Sequence, residues 1–271
     1  MRNSLAEAEE RVQRAICPIY GVDRKDKAQL VGTSLLFSIR GKSLLVTAAH
    51  VLDANGESTL YIGGPTELVP LTGTAYKTTP PAGGRPKDLL DLGLMDISEA
   101  SPEQWSRYRF LTPDDLDVND MPAEHTLYGF VGFPETKNRP SLKKLKLSSM
   151  ICVLVPTPQE KYIQLGLNLF AHIVGQFDPK KQLNSDGRTI TSPDPHGMSG
   201  GGVWRMGTPE ELANGTNVER LIGVGIEYRK AARILLGVRA SVLVEMIANA
   251  FPELAPALPK PTHIRINVSQ R

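Results

Sequence analysis

Short apolar runs separated by turn residues dominate the chain. Residues 31–39 and 43–47 flank Arg40-Gly41-Lys42, and this pattern predicts two strands joined by a hairpin. Further strands are predicted along both halves, because short apolar runs recur between glycine- and proline-containing turns. They lie at residues 59–62, 67–71, 89–97, 126–132, 144–155, 162–169, 202–205, 220–227 and 233–238.

Helical spacing is found near the two ends of the chain. Ser4 and Glu7 form the S-x-x-E pattern of a capping box, and apolar residues follow at near-helical spacing. The pattern predicts a helix over residues 4–15. A second helix is predicted over residues 241–250, with Pro252 as its stop signal.

This order of elements predicts an all-β protein made of a pair of β-barrels, with a helix at each end. With 271 residues, 41% of them apolar, the chain can bury a substantial core, and its 24 glycines and 21 prolines favour many turns. Residues 78–87, rich in proline and glycine, are predicted to be an exposed loop, and the acidic residues 114–121 a linker. The predicted divisions are residues 1–16 (N-terminal helix), 17–115 (first barrel), 116–255 (second barrel and closing helix) and 256–271 (tail).

The charge balance gives no argument for a polyanionic partner. The net charge is +2, from 31 basic and 29 acidic residues, so we expect neither nucleic acid nor a membrane as partner. Lys143, Lys144 and Lys146 are interpreted as a solvated strand or loop rather than a binding patch. No apolar run approaches the roughly 20 residues needed to span a bilayer.

Cysteine usage bears on the expected compartment. Cys17 and Cys152 each lie in an apolar run, which is more typical of buried free thiols than of one bridge. The first residues lack the apolar segment of a secretory signal. We therefore expect a cytoplasmic location.

A glycine-rich segment carries the candidate nucleophile. In Gly197-Met198-Ser199-Gly200-Gly201, the N–H groups of Gly197 and Ser199 can converge on a developing oxyanion. A plain glycine-rich hairpin explains the segment alone equally well. The nucleophile elbow of α/β-hydrolases also has G-x-S-x-G, but it needs a histidine after the acid and alternating strands and helices. Here the only histidine after Ser199 is His263, near the C-terminus.

Two earlier segments supply a candidate base and a candidate acid. An apolar strand passes through small residues to His50, which could act as a general base, although a lone histidine there is more often structural. Asp91 opens an apolar strand, where a carboxylate needs a partner and could orient an imidazole. Asp88 and Asp96 compete with Asp91 for this role, and a surface aspartate remains the simplest alternative.

Taken together, TAAH, DLGL and GMSGG, in the order His, Asp, Ser, resemble the three signature segments of the trypsin-like serine peptidases. The likeness is closest to bacterial, disulfide-poor members of the HtrA/Deg group. Three further segments resemble strands and the closing helix of those proteins, so that the likeness covers about residues 31–250. They are LYGFVGFP (127–134), LIGVGIEY (221–228) and LLGVRASVLVEMI (235–247).

The resemblance implies two antiparallel six-stranded barrels of the chymotrypsin type, with His50, Asp91 and Ser199 in the cleft between them. It implies a serine endopeptidase in which Ser199 attacks the scissile carbonyl, His50 takes its proton and Asp91 orients His50. Gly197 and Ser199 would supply the oxyanion N–H groups, and the reaction would pass through an acyl-enzyme. The alternative is the same fold without activity, used as a protein-binding module.

Two departures from the family pattern affect regulation. Met198 stands where digestive members have an aspartate that pairs with a newly cut N-terminus, so activation by such cleavage is not expected. No PDZ module follows the predicted closing helix. Because an unregulated cytoplasmic protease would digest its host, we expect control by an activating protein partner or a restricted protein substrate.

The predicted substrate pocket is less well defined. By the same resemblance it is lined by Asp194, His196, Ile226, Glu227, Tyr228, Gly237 and Arg239. An inward Arg239 would favour acidic substrate residues before the scissile bond, and an inward Asp194 basic ones. Otherwise the charged side chains face solvent and the pocket takes small apolar residues.

No metal or cofactor is expected. His125, His172, His196 and His263 have neither the close histidine spacing nor the cysteine pairing of a metal site. A glycine-rich nucleotide loop between a strand and a helix is also lacking.

Overall fold

The structure, a computed structural model, describes residues 10–22, 27–64, 67–121, 126–138, 147–183, 189–214 and 219–262. The predicted all-β organisation is confirmed, because two antiparallel sheets carry the core. The helix predicted over residues 4–15 is described only at residues 10–14, which are helical and form α1. Its predicted start, the lysine cluster at 143–146, His125 and His263 lie outside the described residues.

The first sheet has seven strands. They are β1 (Ile16–Val22), β2 (Ala28–Ile39), β3 (Lys42–Ala48), β4 (Tyr61–Gly63), β5 (Leu68–Pro70), β6 (Thr74–Lys77) and β7 (Leu92–Asp96). Their order is β5-β4-β1-β2-β3-β7-β6, which leaves β5 and β6 as edges. Within the described residues this half is thus a half-barrel, an open seven-stranded sheet where six strands were predicted. Both edge strands are short, β6 is largely exposed, and Pro70 of β5 lacks the N–H needed to extend pairing.

The second sheet is the predicted six-stranded closed barrel, in the order β10-β15-β14-β13-β8-β9. Its strands are β8 (Leu127–Gly132), β9 (Met150–Pro156), β10 (His172–Gln176), β13 (Gly202–Gly207), β14 (Arg220–Arg229) and β15 (Ile234–Arg239). A separate ribbon pairs β11 (Gln182–Leu183) with β12 (Thr189–Ile190).

The remaining helices are short except for the last. They are α2 (Ala49–Asp53), α3 (Gln159–Gln164), α4 (Pro209–Asn214) and α5 (Ala240–Ala250). The predicted C-terminal helix is confirmed as α5, whose buried face includes Leu243 and Ile247. Pro252 follows it and opens a 3-10 turn.

One predicted strand is a helix. Residues 162–169 alternate apolar and polar positions, yet the chain there forms the end of α3 and a turn. Pro158, with φ −69°, stands at the N-cap, and Gly166, with φ +66°, lies just beyond the helix. The strand of this region is β10, which the pattern did not predict.

Both cysteines are free, as expected, and fully buried in the hydrophobic core. Burial raises the pKa of the Cys17 and Cys152 thiols to about 12 in each case. Neither thiol is therefore a nucleophile near neutral pH.

A buried ion pair lies within the second barrel. Arg239 donates from Nε to the Leu169 carbonyl and from Nη1 to the Asp120 carbonyl, each at 2.7 Å, and Nη1 lies 3.6 Å from the Asp120 carboxylate. Tyr128 also donates to this carboxylate at 2.6 Å. Burial raises the pKa of Asp120, against the opposing effects of Tyr128 and Arg239. The pair joins the end of β15 to the segment that precedes β8.

Replacing Arg239 with Met should lower the free energy of unfolding by about 3–5 kcal/mol, because it leaves the Asp120 carboxylate buried without its cation. Urea denaturation measures the loss. The matched control is Arg229→Met, which removes a surface pair with Glu227 and should cost under about 1 kcal/mol. Equal losses in the two variants would contradict the expectation.

Candidate active site

His50 and Asp91 are brought together by the pairing of β3 with β7. Ala48 pairs with Leu92, so the residues that follow β3 and precede β7 are neighbours. The Asp91 carboxylate accepts the backbone N–H of His50 at 2.9 Å and lies 2.5 Å from His50 Nδ1. This bond fixes the ring with a proton on Nδ1 and leaves Nε2 free to accept one.

Asp91 is the only one of the three candidate carboxylates that contacts the His50 ring. Asp96 instead pairs with Lys42 at 2.8 Å and binds Ser98. Asp88 pairs with Arg85 and accepts the Thr78 hydroxyl at 2.6 Å. Asp91 is only 7% exposed, so its carboxylate depends on the backbone N–H and the ring of His50 for hydrogen bonds rather than on water.

The nucleophile loop, residues 195–201, needs glycine at two positions. Met198 donates to the Pro195 carbonyl at 2.9 Å and Gly197 has φ +88°, the pattern of a type II turn with glycine at its third position. Gly200 has φ +86°, and an added Cβ there would lie 2.0 Å from the Thr33 carbonyl oxygen. A side chain at Gly200 would push the loop away from β2.

Thr33 of β2 anchors the nucleophile loop to both halves of the molecule. Its N–H donates to the Ser199 carbonyl at 2.8 Å, and its hydroxyl donates to the Gly197 carbonyl at 2.9 Å. The same hydroxyl accepts the N–H of Phe133, at the end of β8, at 2.9 Å. The Thr47 hydroxyl binds the Thr33 carbonyl at 2.6 Å from β3. These bonds hold the Gly197 carbonyl in one orientation.

We expect Thr33→Val to lower kcat for peptide hydrolysis about 10-fold, because the loop that carries the two oxyanion N–H groups loses its bond from the Thr33 hydroxyl to the Gly197 carbonyl. The free energy of unfolding should fall by about 1–3 kcal/mol, since two buried polar groups lose a partner. Steady-state kinetics and urea denaturation measure the two effects.

Ser34→Ala is the matched control for Thr33→Val. Its hydroxyl binds the Cys17 carbonyl at 3.1 Å, away from the nucleophile loop. This control should lose stability and keep kcat. A parallel loss of kcat in both variants would show that Thr33 acts through stability alone.

The loop presents two N–H groups to a ligand. Within the described residues, the N–H groups of Gly197 and Ser199 donate to no protein acceptor. The carbonyl groups of the same two peptide units, those of His196 and Met198, accept the N–H groups of Glu135 at 2.8 Å and Gly201 at 2.9 Å. The arrangement is therefore suited to binding a negatively charged oxygen.

The Ser199 hydroxyl donates to the Ile226 carbonyl at 3.1 Å. Ile226 is skipped in the pairing of β14 with β15, where Gly225 opposes Gly237 and Glu227 opposes Leu236. Among the described contacts, none joins the Ser199 hydroxyl to the His50 ring. The structure thus joins His50 to Asp91 by hydrogen bonds and leaves Ser199 bonded to β14.

Ser199 nevertheless lies beside the helix that carries His50. A Cβ added to Gly32 would lie 3.2 Å from the Ser199 carbonyl oxygen and 2.5 Å from the Val51 side chain. Gly32 is therefore a point where β2, α2 and the nucleophile loop pack together. A larger residue at this position would separate the loop from α2.

Met198 is fully buried in the core of the second barrel, with Phe130 and Val203 among the members of that cluster. A Cβ added to Gly132 would lie 2.8 Å from the Met198 Cβ. The side chain before Ser199 thus anchors the loop by apolar packing.

Each charged residue of the predicted pocket has a partner of opposite charge. The Asp194 carboxylate lies 3.5 Å from Lys230, and Glu227 is exposed and binds Arg229 at 2.8 Å. Arg239 is buried against Asp120. Its charge is therefore paired with a carboxylate of the protein, and its assignment to the pocket stays a prediction from the sequence.

The other predicted pocket residues have mixed environments. His196 is exposed, and its ring lies 3.0 Å from Glu135. Ile226 is buried, and Tyr228 packs edge-on against Phe177 with ring centroids 5.4 Å apart. Gly237 allows close pairing of β15 with β14, since an added Cβ would meet the Val224 carbonyl at 2.9 Å.

The described residues contain no group of three or more His, Cys, Asp or Glu that could hold a metal ion. His172 is buried, and burial lowers its pKa. No helix in the described ranges is long and apolar enough to cross a membrane.

Sequence reasoning missed Thr33 and Arg85. The run Gly32-Thr33-Ser34, small and polar inside an apolar strand, is the signal that could have found Thr33. Arg85 lies in the loop predicted to be exposed, yet its side chain is only 15% exposed because three carboxylates surround it. The sequence of this proline- and glycine-rich segment does not indicate that the Arg85 side chain is largely buried.

The closed barrel and the open sheet define a chymotrypsin-like fold. No protein-family model and no curated protein sequence matches the chain. Among solved structures, it is similar to neuropsin, a serine protease expressed in the limbic system of mouse brain, with a TM-score of 0.56 and 12% identity. That match covers 89% of this chain and 95% of neuropsin.

A second similar structure is kallikrein-related peptidase 10 in complex with Zn²⁺. Its TM-score is 0.51 at 15% identity, and the match covers 89% of this chain and 97% of that one. Identities this low show the shared fold, which is that of trypsin-like serine proteases.

Proposed function

We propose that the protein is a serine endopeptidase in which His50, Asp91 and Ser199 form a catalytic triad. The observation that carries the proposal is the 2.5 Å bond between His50 Nδ1 and Asp91, together with a loop whose two N–H groups have no acceptor among the described residues. Such a bond prepares the opposite ring nitrogen to act as a base. The fold of the similar structures supports protein or peptide as the substrate class.

The proposed reaction starts when the Ser199 hydroxyl leaves the Ile226 carbonyl and donates to His50 Nε2. Hydrogen bonds of this kind often form fully only with substrate bound. The Ser199 oxygen attacks the scissile carbonyl while His50 takes the proton, and the oxyanion is bound by the N–H groups of Gly197 and Ser199. The tetrahedral intermediate collapses, and the departing amine takes the proton from His50.

The acyl-enzyme then reacts with water by the reverse use of the same groups. His50 removes a proton from the attacking water, and the N–H groups again bind the oxyanion. Collapse returns the proton to Ser199 and releases the acid product. Asp91 stabilises the imidazolium at each stage without taking its proton.

We further propose an uncharged substrate residue before the scissile bond. Asp194, Glu227 and Arg239 are each paired with a protein group, so none offers an unpaired charge to a substrate. Control by a protein partner or a restricted substrate, the likeness to the bacterial HtrA/Deg group and a cytoplasmic location stay predictions from the sequence.

One observation favours a catalytically silent binding module as the second candidate. The Ser199 hydroxyl is bonded to Ile226 and not to His50. If this bond persisted in the presence of a substrate, the serine would not be activated. The fold would then hold peptides without cutting them.

A fluorophosphonate probe distinguishes the two candidates, because it reacts only with an activated serine. The proposal expects one adduct per chain, located on Ser199 by peptide mass spectrometry. Digestion of a proteome-derived peptide library should then give cleavage sites with uncharged residues before the cut. Well-folded protein that neither takes the probe nor cuts any library peptide would support the silent module.

A further inference from the structure

Arg85 is the centre of a charged network behind Asp91. It lies in a 3-10 turn (Arg85–Lys87) between β6 and β7. Its Nε donates to Asp53 at 2.7 Å and lies 3.9 Å from Asp91 Oδ1. Its Nη1 donates to the Thr78 carbonyl at 2.8 Å and to the Asp88 carboxylate. One largely buried guanidinium, 15% exposed, thus faces three carboxylates.

Asp88 converts this network into a support for the backbone at Asp91. Its carboxylate accepts the Leu90 N–H at 3.1 Å, one residue before Asp91. Burial alone would raise the pKa of Asp88, but bonds from Thr78, backbone N–H groups and Arg85 lower it. Asp88 therefore stays ionised and holds the segment that leads into β7.

The backbone at Asp91 needs such a support. Asp91 has φ +39°, a left-handed conformation that residues other than glycine adopt rarely. Its side chain must at the same time receive the backbone N–H and the ring of His50. A conformation of this kind persists only where the surroundings hold it.

We infer that Arg85, acting with Asp88, is a positioning residue that holds Asp91 in the orientation needed to bind His50. The expected effect of Arg85 on kcat rests on the proposed function. Its effect on the orientation of Asp91 rests on geometry alone. The charged groups that face Asp91 are His50 and Arg85. Asp53, Asp88 and, through Asp53, Lys77 complete the network.

The test compares Arg85→Met with a matched control, Lys77→Met. Lys77 is the second cation of the network, with Nζ 2.7 Å from Asp53, and none of its described bonds reaches Asp88 or Asp91. Arg85→Met should lower kcat about 10-fold with KM changed less than about 2-fold, as expected for an outer-shell partner. Arg85→Lys should recover part of the loss, and Lys77→Met should keep wild-type kcat.

A second measurement does not depend on activity. In the Ser199→Ala background, the proton between His50 Nδ1 and Asp91 should give a low-field NMR resonance. Adding Arg85→Met should move this resonance upfield or broaden it away, and adding Lys77→Met should leave it in place. If Arg85→Met folds poorly, Arg85→Met/Asp88→Asn avoids the unpaired buried carboxylate and is used instead.

The two measurements separate failure of the inference from failure of the proposed function. An unchanged resonance in the Arg85 variants would overturn the inference, whatever the activity. A wild-type protein that takes no probe on Ser199, but whose resonance responds to Arg85→Met, would overturn the proposed function and keep the inference. Equal effects of Arg85→Met and Lys77→Met on the resonance would also overturn the inference about Arg85.

Discussion

Ser199→Ala should lower kcat for peptide hydrolysis by about 10⁴–10⁶-fold, the largest effect expected from a single substitution in this chain. The alanine lacks the oxygen that forms the acyl bond, so only binding and the oxyanion N–H groups would remain to assist water. The rate is measured with a fluorogenic peptide built from a cleaved library sequence. The concentration of active sites is titrated with the fluorophosphonate probe.

Ser192→Ala is the matched control for this prediction. Ser192 precedes the same loop, and its buried hydroxyl contacts the Pro193 carbonyl and the Met150 sulfur, each at 3.2 Å. It should keep both hydrolysis and probe labelling. Residual hydrolysis by Ser199→Ala within 100-fold of wild type would mean that another group, or a contaminating protease, cuts the peptide.

Asp91→Asn should lower kcat at neutral pH by about 10⁴-fold while the protein keeps its fold. An asparagine amide can donate to His50 Nδ1, which would place the ring proton on Nε2 and block the base. It also removes the negative charge that stabilises the imidazolium. The expected signature is a large fall in kcat with little change in KM and in the free energy of unfolding.

The control for Asp91→Asn is Asp96→Asn, the same change five residues along the chain. Asp96 pairs with Lys42 and Ser98 at the far end of β7 and does not contact His50. Its rate should stay within about 2-fold of wild type. A similar fall in kcat in both variants would mean that Asp91 has no specific role toward His50 and is a structural aspartate.

The pairing of His50 with Asp91 was predictable because each residue sits at the end of a strongly apolar strand. Strands β3 and β7 follow from their runs of Leu, Val and Met, and pairing them places the two polar ends side by side. The glycines around Ser199 likewise mark a tight turn directly in the sequence. Local composition was sufficient for these parts of the site.

The remainder depends on contacts between distant segments, which local patterns do not specify. The burial of Arg239 depends on its pairing with Asp120, more than a hundred residues earlier in the chain. The open edges of the first sheet are the short strands β5 and β6, of which only β5 lies in a predicted strand, residues 67–71. The helix α3 replaced a predicted strand because Pro158 and Gly166 fix its ends.

Met198 has a consequence for how such an enzyme would be kept in check. The Met198 side chain holds the nucleophile loop by packing in a hydrophobic cluster. An aspartate at this position would instead have to pair with a newly formed N-terminal amino group. In the proposed enzyme, the packing of this loop would not depend on a newly cut N-terminus, because the Met198 side chain lies in the hydrophobic cluster of the second barrel. Control of cleavage would then act on the access of substrates to Ser199 rather than on proteolytic maturation.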